Sequence, residues 1–265
     1  MRALRIFLIL VIVLGGLFVI ADRVAVNFAE DQAADRIKST EGLANTPDVS
    51  IEGFPFLTQV VGGELDDVKI GIKDYEASTG TSAGTIRIDD LRAEMHGVAF
   101  SGDFSSATAA RATGTATIAY DELLKAARSE PGDVAPGLTA RITGLSDGGD
   151  GKIKVTLSSK LLSRDLPPVS VLSSVTVSGD TVKVHADSLP KIGGVQLVEG
   201  PIRSVTDFEQ KIQKLPGGIK LDKVEAAPDG VDITVKGSDV SLVGLAGEGG
   251  ASRAFLVVGA RFPPE

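Results

Sequence analysis

The chain has 265 residues, a formal net charge of −8 and no cysteine, and 43% of its residues are hydrophobic. This hydrophobic fraction supports a buried core and argues against wholesale disorder. The negative charge and the lack of a long basic run argue against a general nucleic-acid binder. The absence of cysteine excludes disulfides, thiol catalysis and cysteine-ligated zinc.

The N-terminus carries an apolar segment that either crosses a membrane or directs export. Arg2 and Arg5 precede an uncharged run from Ile6 to Ala21. A run of about 16 residues is short for a membrane span and long for the apolar part of a signal peptide. Positive charges stay on the cytoplasmic side, so we expect the chain from Asp22 onward to be extracytoplasmic. A buried core helix is the remaining alternative.

The sequence after the run favours a retained anchor over a cleaved signal. Val19 and Ala21 suit signal peptidase, but no helix breaker follows, and residues 22–39 stay compatible with one long helix. We therefore divide the chain into a signal peptide or membrane anchor (1–21), an extracytoplasmic domain (22–242) and a flexible, glycine- and alanine-rich tail (243–265).

From about Pro47 onward, apolar residues alternate with polar ones, as in antiparallel strands with one buried and one solvated face. Turn-forming residues, such as Pro228-Asp229-Gly230, separate these segments. The pattern predicts roughly eight to ten strands. The clearest apolar faces are those of Val68, Ile70 and Ile72; Ile153, Val155 and Leu157; and Val231, Ile233 and Val235.

Two further helices are predicted. The first spans Asp121 to Arg128 and stops before a proline. The second spans residues 204–215, with Ser204 as its N-cap and Pro216-Gly217-Gly218 after its end. Its apolar face consists of Val205, Phe208, Ile212 and Leu215.

Two short helices cannot cover the apolar faces of so many strands. The sheet must therefore pack on a second sheet, close into a barrel or curl around a helix, and we predict an α+β fold that is mostly β. Only 5% of the residues are aromatic. An interior of valine, isoleucine and alanine either packs tightly or leaves a channel for acyl chains, and composition does not choose between them.

The sequence offers no recognisable active site, cofactor site or metal site. His96 and His185 have no spacing that suggests a metal pair, and His185 falls on the polar face of its strand. The adjacent carboxylates of Asp66-Asp67 and Asp89-Asp90 point to opposite faces of a strand, so they do not converge on one atom. We therefore expect a protein that is not an enzyme and holds no cofactor.

A short motif resembles a known family. The segment Gly53-Phe54-Pro55-Phe56-Leu57-Thr58-Gln59, followed by Gly63, Leu65 and Val68, is similar to the LmeA-like phospholipid-binding family of actinobacterial envelope proteins. Ala119-Tyr120-Asp121-Glu122-Leu123 and the segment from Leu215 to Leu242 fit the family in the same order.

The resemblance implies an exported, membrane-associated protein that binds acidic phospholipids, those of the phosphatidylinositol type among them. It also implies a role in maintaining the lipids and lipoglycans of the cell envelope. The implied fold is tubular: a strongly curved antiparallel sheet wrapped around a helix, preceded by the N-terminal membrane helix. No catalytic residues carry over.

Within the motif, Pro55 lacks an N–H and has a fixed φ, so it interrupts the strand. The apolar residues around it then either plug the end of the core or contact lipid. Our candidate lipid-binding residues are Phe54, Phe56, Leu57, Val60, Phe208 and Ile212. The alternative function is a non-enzymatic scaffold that binds an envelope enzyme through a sheet edge or the 204–215 helix.

Overall fold

The structure is a computed structural model that describes residues 2–78, 85–102, 106–126, 131–179, 181–189, 199–211 and 218–241. Strands account for 55% of the described residues, and the sheet structure is antiparallel and strongly curled, as half of a barrel. The prediction of a mostly β fold with an N-terminal helix is confirmed. The expected detail that the sheet wraps around a helix stays a prediction.

The described residues contain more strands than the sequence predicted. The helices are α1 (Arg2–Glu41), α2 (Phe56–Gly62), α3 (Tyr120–Ala126) and α4 (Glu199–Thr206). The strands are β1 (Asp48–Glu52), β2 (Glu64–Ser78), β3 (Thr85–Phe100), β4 (Ala107–Ala119), β5 (Gly132–Ala135), β6 (Leu138–Asp147), β7 (Lys152–Leu161), β8 (Arg164–Ser178), β9 (Thr181–Ala186), β10 (Phe208–Lys211), β11 (Ile219–Ala227) and β12 (Gly230–Ser241). Strands as short as β5 and β10 show too little alternation to be recognised from sequence.

The strands form two six-stranded sheets, with the orders β1-β2-β3-β4-β12-β11 and β10-β9-β8-β7-β6-β5. The predicted turn at Pro228 and Asp229 is confirmed, because Ala227 pairs with Gly230 at the end of the β11–β12 hairpin. The chain divides into two compact units. Among the described residues, unit 1 comprises those within 2–72, 92–112 and 238–241, and unit 2 comprises those within 73–91 and 113–237.

In unit 1, α1 is a single uninterrupted helix of 40 residues. No proline occurs between Arg2 and Glu41. Gly42 directly follows the helix, and its φ of 63° is the left-handed conformation that commonly ends a helix. The Leu43 N–H then donates to the carbonyl oxygen of Lys38 over 3.0 Å. Nothing in the backbone marks the predicted boundary between residues 21 and 22, which stays a prediction.

In unit 2, the alternation in β7 produces one buried face. Ile153, Val155 and Leu157 are buried, whereas Lys154 and Lys160 are exposed. The buried face packs against apolar residues of neighbouring elements in one cluster, namely Tyr120, Val171, Ala186, Leu221, Val224, Ala226 and Val231. The apolar faces of β7 and β8 are thus covered by β11 and β12, and packing of strands on strands is one of the three arrangements that the sequence left open.

The predicted helix at 204–215 is wrong in its position. Helix α4 begins at Glu199 and ends at Thr206, and Phe208 pairs with Val184 of β9 as the first residue of β10. The reason is Asp207, whose carboxylate accepts a hydrogen bond from the Ala186 N–H over 3.1 Å. This contact directs the chain along the edge of β9, where backbone pairing outweighs a helical pattern of apolar residues.

The other predicted segments have mixed outcomes. The helix predicted from Asp121 is confirmed as α3 as far as Ala126. Ile212, Leu215 and the tail at 243–265 lie outside the described residues.

Candidate functional site

The Gly-Phe-Pro-Phe motif forms the turn between β1 and α2 in unit 1. Strand β1 ends at Glu52, and Pro55 occupies the N-cap position of α2 with extended backbone angles. The peptide bond between Phe54 and Pro55 is cis. Pro55 therefore lies where the strand stops, as its missing N–H predicts.

The two phenylalanines of the motif have opposite environments. Phe56 is 7% exposed, whereas Phe54 is 58% exposed. Leu57 and Val60 are half-buried, and Val61 on α2 is 90% exposed. The sequence left open whether the motif plugs the core or contacts lipid. Phe56 is buried, as expected of a side chain that plugs the core. Phe54 is exposed, as expected of a side chain that contacts lipid.

Helix α1 holds this segment through a buried carboxylate. Asp22 is 0% exposed, and its Oδ1 accepts a hydrogen bond from the Leu57 N–H over 2.8 Å. Its Oδ2 lies 2.7 Å from Nη2 of Arg23. Arg23 in turn places its guanidinium 5.3 Å from the centre of the Phe54 ring, within the range of a cation–π contact. A buried carboxylate needs such partners, so this cluster fixes where α2 docks on α1.

A second contact fixes α1 to the edge of a sheet. Strand β1 is the first strand of its sheet, and its Ile51 N–H donates to Oε1 of Glu30 over 2.7 Å. The carboxylates of Asp22 and Glu30 thus bind backbone groups on both sides of the motif. Neither contact was predicted, because the sequence does not show which acidic residue of a helix faces a distant N–H.

The contacts around Gly53 and Gln59 explain why the motif has a glycine and a glutamine at these positions. Gln59 accepts a hydrogen bond from the Asp66 N–H over 2.8 Å. A Cβ on Gly53 would lie 2.5 Å from both Nε2 of Gln59 and Oδ2 of Asp66, and its φ is +100°. Only glycine fits this position without displacing its neighbours.

The structure brings together four of the six candidate lipid-binding residues. Phe54, Phe56, Leu57 and Val60 lie in one segment of unit 1, whereas Phe208 begins β10 in unit 2. Ile212 lies outside the described residues. A role of any of the six in binding lipid stays a prediction.

In unit 2, the buried inner face of β7 and β8 carries two polar side chains. Ser159 and Ser173 are buried, and neither hydroxyl has a hydrogen-bond partner within the part of the chain that the structure describes. A buried hydroxyl without a partner is unfavourable in a closed core. These two positions therefore differ from the apolar packing around them.

A cavity of about 350 Å³ opens on the surface of unit 2. It is lined by Asp133, Val134, Ala135, Pro136, Gly137 and Pro201. Its volume lies at the lower end of the range of small-molecule sites, about 300–1,000 Å³. The expected enclosed channel for acyl chains stays a prediction.

Both histidines lie against carboxylates, and one carboxylate of each adjacent pair has a basic side chain as its partner. His185 Nδ1 lies 2.7 Å from Asp207, His96 contacts Asp67, and Arg87 lies 3.2 Å from Asp89. Among the described residues, no group of three histidine, aspartate or glutamate side chains is arranged to hold a metal ion. These contacts give the histidines and the carboxylates that they bind a structural role at the surface of the protein.

Comparison with known proteins finds one match, and it covers most of the chain. A family model described as LmeA-like phospholipid-binding matches residues 20–236. The match therefore includes Asp22, the motif segment and most of both units. No curated protein and no solved structure matches the chain.

Proposed function

The chain belongs to the LmeA-like phospholipid-binding family, and we propose that it is a membrane-tethered, non-enzymatic protein that binds acidic phospholipid. We place it on the extracytoplasmic face of the cell membrane, where it supports the maintenance of envelope lipids and lipoglycans. The observation that carries the proposal is the family match, which begins at residue 20 within the apolar run and continues through the motif.

The motif supplies suitable contacts for a lipid. Phe54 is exposed, and Leu57 and Val60 are half-buried beside it, so they offer apolar area to acyl chains. The Arg23 guanidinium over the Phe54 ring offers charged donors to a phosphate group. A guanidinium beside an apolar surface suits the phosphate and the acyl chains of a phospholipid, and the acidic headgroup is part of the proposal, since Arg23 already pairs with Asp22.

The docking of Asp22 supports a retained anchor. Asp22 is completely buried in the middle of α1. Cleavage after Ala21 would make Asp22 the first residue, and the first N–H groups of a helix lose their partners at such an end. It would also place a new ammonium group in this buried position. One helix long and apolar enough to cross a membrane begins near the N-terminus, and we assign it as the tether.

The orientation follows from the flanking charges. Arg2 and Arg5 precede the apolar run, so the positive-inside rule keeps the N-terminus in the cytoplasm and sends the chain beyond the span to the other side. A fusion reporter that is active only outside the cytoplasm tests this at the C-terminus of the full chain.

Lipid retention in the purified full-length protein tests the function. We expect native mass spectrometry from detergent micelles to show bound phosphatidylinositol or phosphatidylglycerol, with phosphatidylcholine retained less. Phe54→Ala should reduce retention, whereas Leu162→Ala removes an equally apolar side chain, 80% exposed at a hairpin turn, and should leave retention unchanged. Absence of any retained phospholipid contradicts the proposal, and a protein partner captured by cross-linking would then favour the scaffold.

A further inference from the structure

The apolar surface of α1 continues past the end of the apolar run on one face only. Leu17, Ile20, Val24 and Phe28 are all exposed. Their spacing of three and four residues places them on one face of a helix. Val24 and Phe28 lie beyond Ala21, and Phe28 is 65% exposed.

The opposite face of the same part of α1 is docked on unit 1. Asp22 and Val26, four residues apart, are both buried. At 100° per residue, Val24 lies about 200° around the helix from Asp22, and Phe28 lies about 200° from Val26. The helix therefore has one face covered by its own unit and one apolar face that none of the described residues covers.

The length of α1 bears on what covers that face. The run from Ile6 to Ala21 is about 24 Å long at 1.5 Å per residue, which is shorter than the hydrocarbon core of a bilayer, about 30 Å. Extending the run to Phe28 gives about 35 Å. A span that ends at Phe28 is thus long enough to cross the core and to reach the interface.

Other exposed apolar side chains lie beside this part of α1. Phe54 and Val61 belong to the segment that docks on α1 through Asp22. Arg23 lies over Phe54. An arginine among aromatic side chains is typical of the boundary between lipid and water.

We propose that the outer leaflet covers Val24, Phe28, Phe54 and Val61, so that the membrane boundary lies near Phe28 and the motif is seated in the bilayer interface. This inference rests on the proposed function. It adds that the phospholipid bound by the motif is part of the bilayer when it makes contact. Phospholipid then reaches the motif directly from the leaflet, without first crossing water.

The distribution of charge favours a bilayer over a second copy of the chain. The apolar stripe continues the membrane span without a break, and acidic residues beyond Asp22 begin only at Glu30 and Asp31. Asp22 is the one acidic residue between Ile6 and Phe28, and its hydrogen bond from the Leu57 N–H lies on the face of α1 that is docked on unit 1. A carboxylate within a membrane requires such a partner.

Tryptophan substitution tests the proposal, because the chain contains no tryptophan. Full-length Phe28→Trp, Val61→Trp, Leu14→Trp and Asp35→Trp are reconstituted into vesicles of phosphatidylcholine and phosphatidylglycerol with brominated acyl chains. Leu14 lies within the apolar run and reports full insertion. Asp35 lies on the same face as Phe28, about 10 Å farther along the helix. We expect at least about a twofold loss of emission for positions 14, 28 and 61, and none for position 35.

Unquenched tryptophan at positions 28 and 61 would overturn the proposal, as would an unquenched tryptophan at position 14. Cross-linked dimers from Phe28→Cys in this cysteine-free chain, together with unquenched Phe28→Trp, would show that a second copy covers the stripe. Phospholipid retention is measured on the same preparations. Retention without quenching refutes the interfacial seat alone, whereas quenching without retention refutes the proposed function alone.

Discussion

The Asp22 carboxylate and the Leu57 N–H, 35 residues apart in sequence, are joined by a hydrogen bond of 2.8 Å. Asp22 is the first charged residue after the apolar run, and Leu57 lies in the first turn of α2. This bond makes the docking of the motif depend on α1.

Asp22→Ala should loosen α2 while leaving unit 2 intact. The Leu57 N–H loses its acceptor and Arg23 loses its ion pair. We expect amide exchange in residues 56–62 to become at least about tenfold faster, measured by mass spectrometry on the full chain in micelles. Asp22→Asn keeps an acceptor oxygen, so its rate of amide exchange should lie between those of the wild type and of Asp22→Ala. Exchange at the wild-type rate in the alanine variant would show that the bond does not hold α2.

Phe56→Ala and Phe54→Ala should separate stability from lipid binding. Phe56 is buried, so its truncation should lower the free energy of unfolding by about 3–5 kcal/mol. Phe54 is mostly exposed, and its truncation should cost no more than about 1 kcal/mol, chiefly from the contact with Arg23. Denaturant titration measures the first effect and lipid retention the second. Equal stability losses in the two variants would contradict the assigned environments.

Gly230→Ala should destabilise unit 2 because there is no space for a side chain. A Cβ at this position would lie 2.2 Å from the carbonyl oxygen of Ile118. Displacing that backbone should cost about 1–3 kcal/mol.

Gly200→Ala is the matched control, since a Cβ added there would have none of the described residues within 4 Å and the residue is within α4. It should raise the free energy of unfolding by up to about 1 kcal/mol. Thermal unfolding of both variants checks the opposite signs. A neutral Gly230→Ala would mean that β4 and β12 are not so closely paired there.

Ser173→Ala should not destabilise the protein, although the residue is completely buried. Its hydroxyl has no partner among the described residues, so removal relieves a desolvated group and should change the free energy of unfolding by between zero and about +1 kcal/mol. Ser159→Ala should behave alike. Lower phospholipid retention at equal stability would place a lipid polar group on the inner face of β8. A clear loss of stability would reveal a hydrogen bond to the hydroxyl.

The stability that Asp207 contributes should disappear in acid. Burial opposes ionisation, but hydrogen bonds from Ala186 and Thr206, together with His185, outweigh it and lower the pKa of Asp207 below its usual 3.8. A lowered carboxyl pKa stabilises the folded state above 3.8, and this contribution is lost as the pH falls through the folded value. Asp207→Asn should therefore be less stable than wild type at pH 6, with a smaller difference at pH 3. A difference that does not change with pH would assign no role to the charge.

The sequence was most informative where alternation and turn chemistry agree. The buried face of Ile153, Val155 and Leu157 followed from period-two alternation, and the hairpin at Pro228 and Asp229 followed from its turn residues. Both depend on neighbours along the chain. The interruption at Pro55 was predictable for the same reason, since a missing N–H is a local property.

The segments that could not be predicted depend on distant partners. Helix α2 contains Thr58, Val60 and Val61, whose branched side chains favour strands, and it is held by Asp22 of α1. Phe208 lies in a strand because β9 provides a backbone pairing partner for it. The difference in exposure between Phe54 and Phe56 could not be predicted either, because residues on either side of a proline give no local sign of which one faces the core.

If α1 spans the membrane as we propose, its unbroken course leaves no flexible linker between the span and the rest of unit 1. Because Asp22 and Glu30 bind the motif and β1 to the same helix, these elements follow the orientation of α1. A transmembrane helix adjusts to bilayer thickness by tilting. In the arrangement proposed above, a thinner or thicker membrane would therefore change the angle at which the motif meets the leaflet.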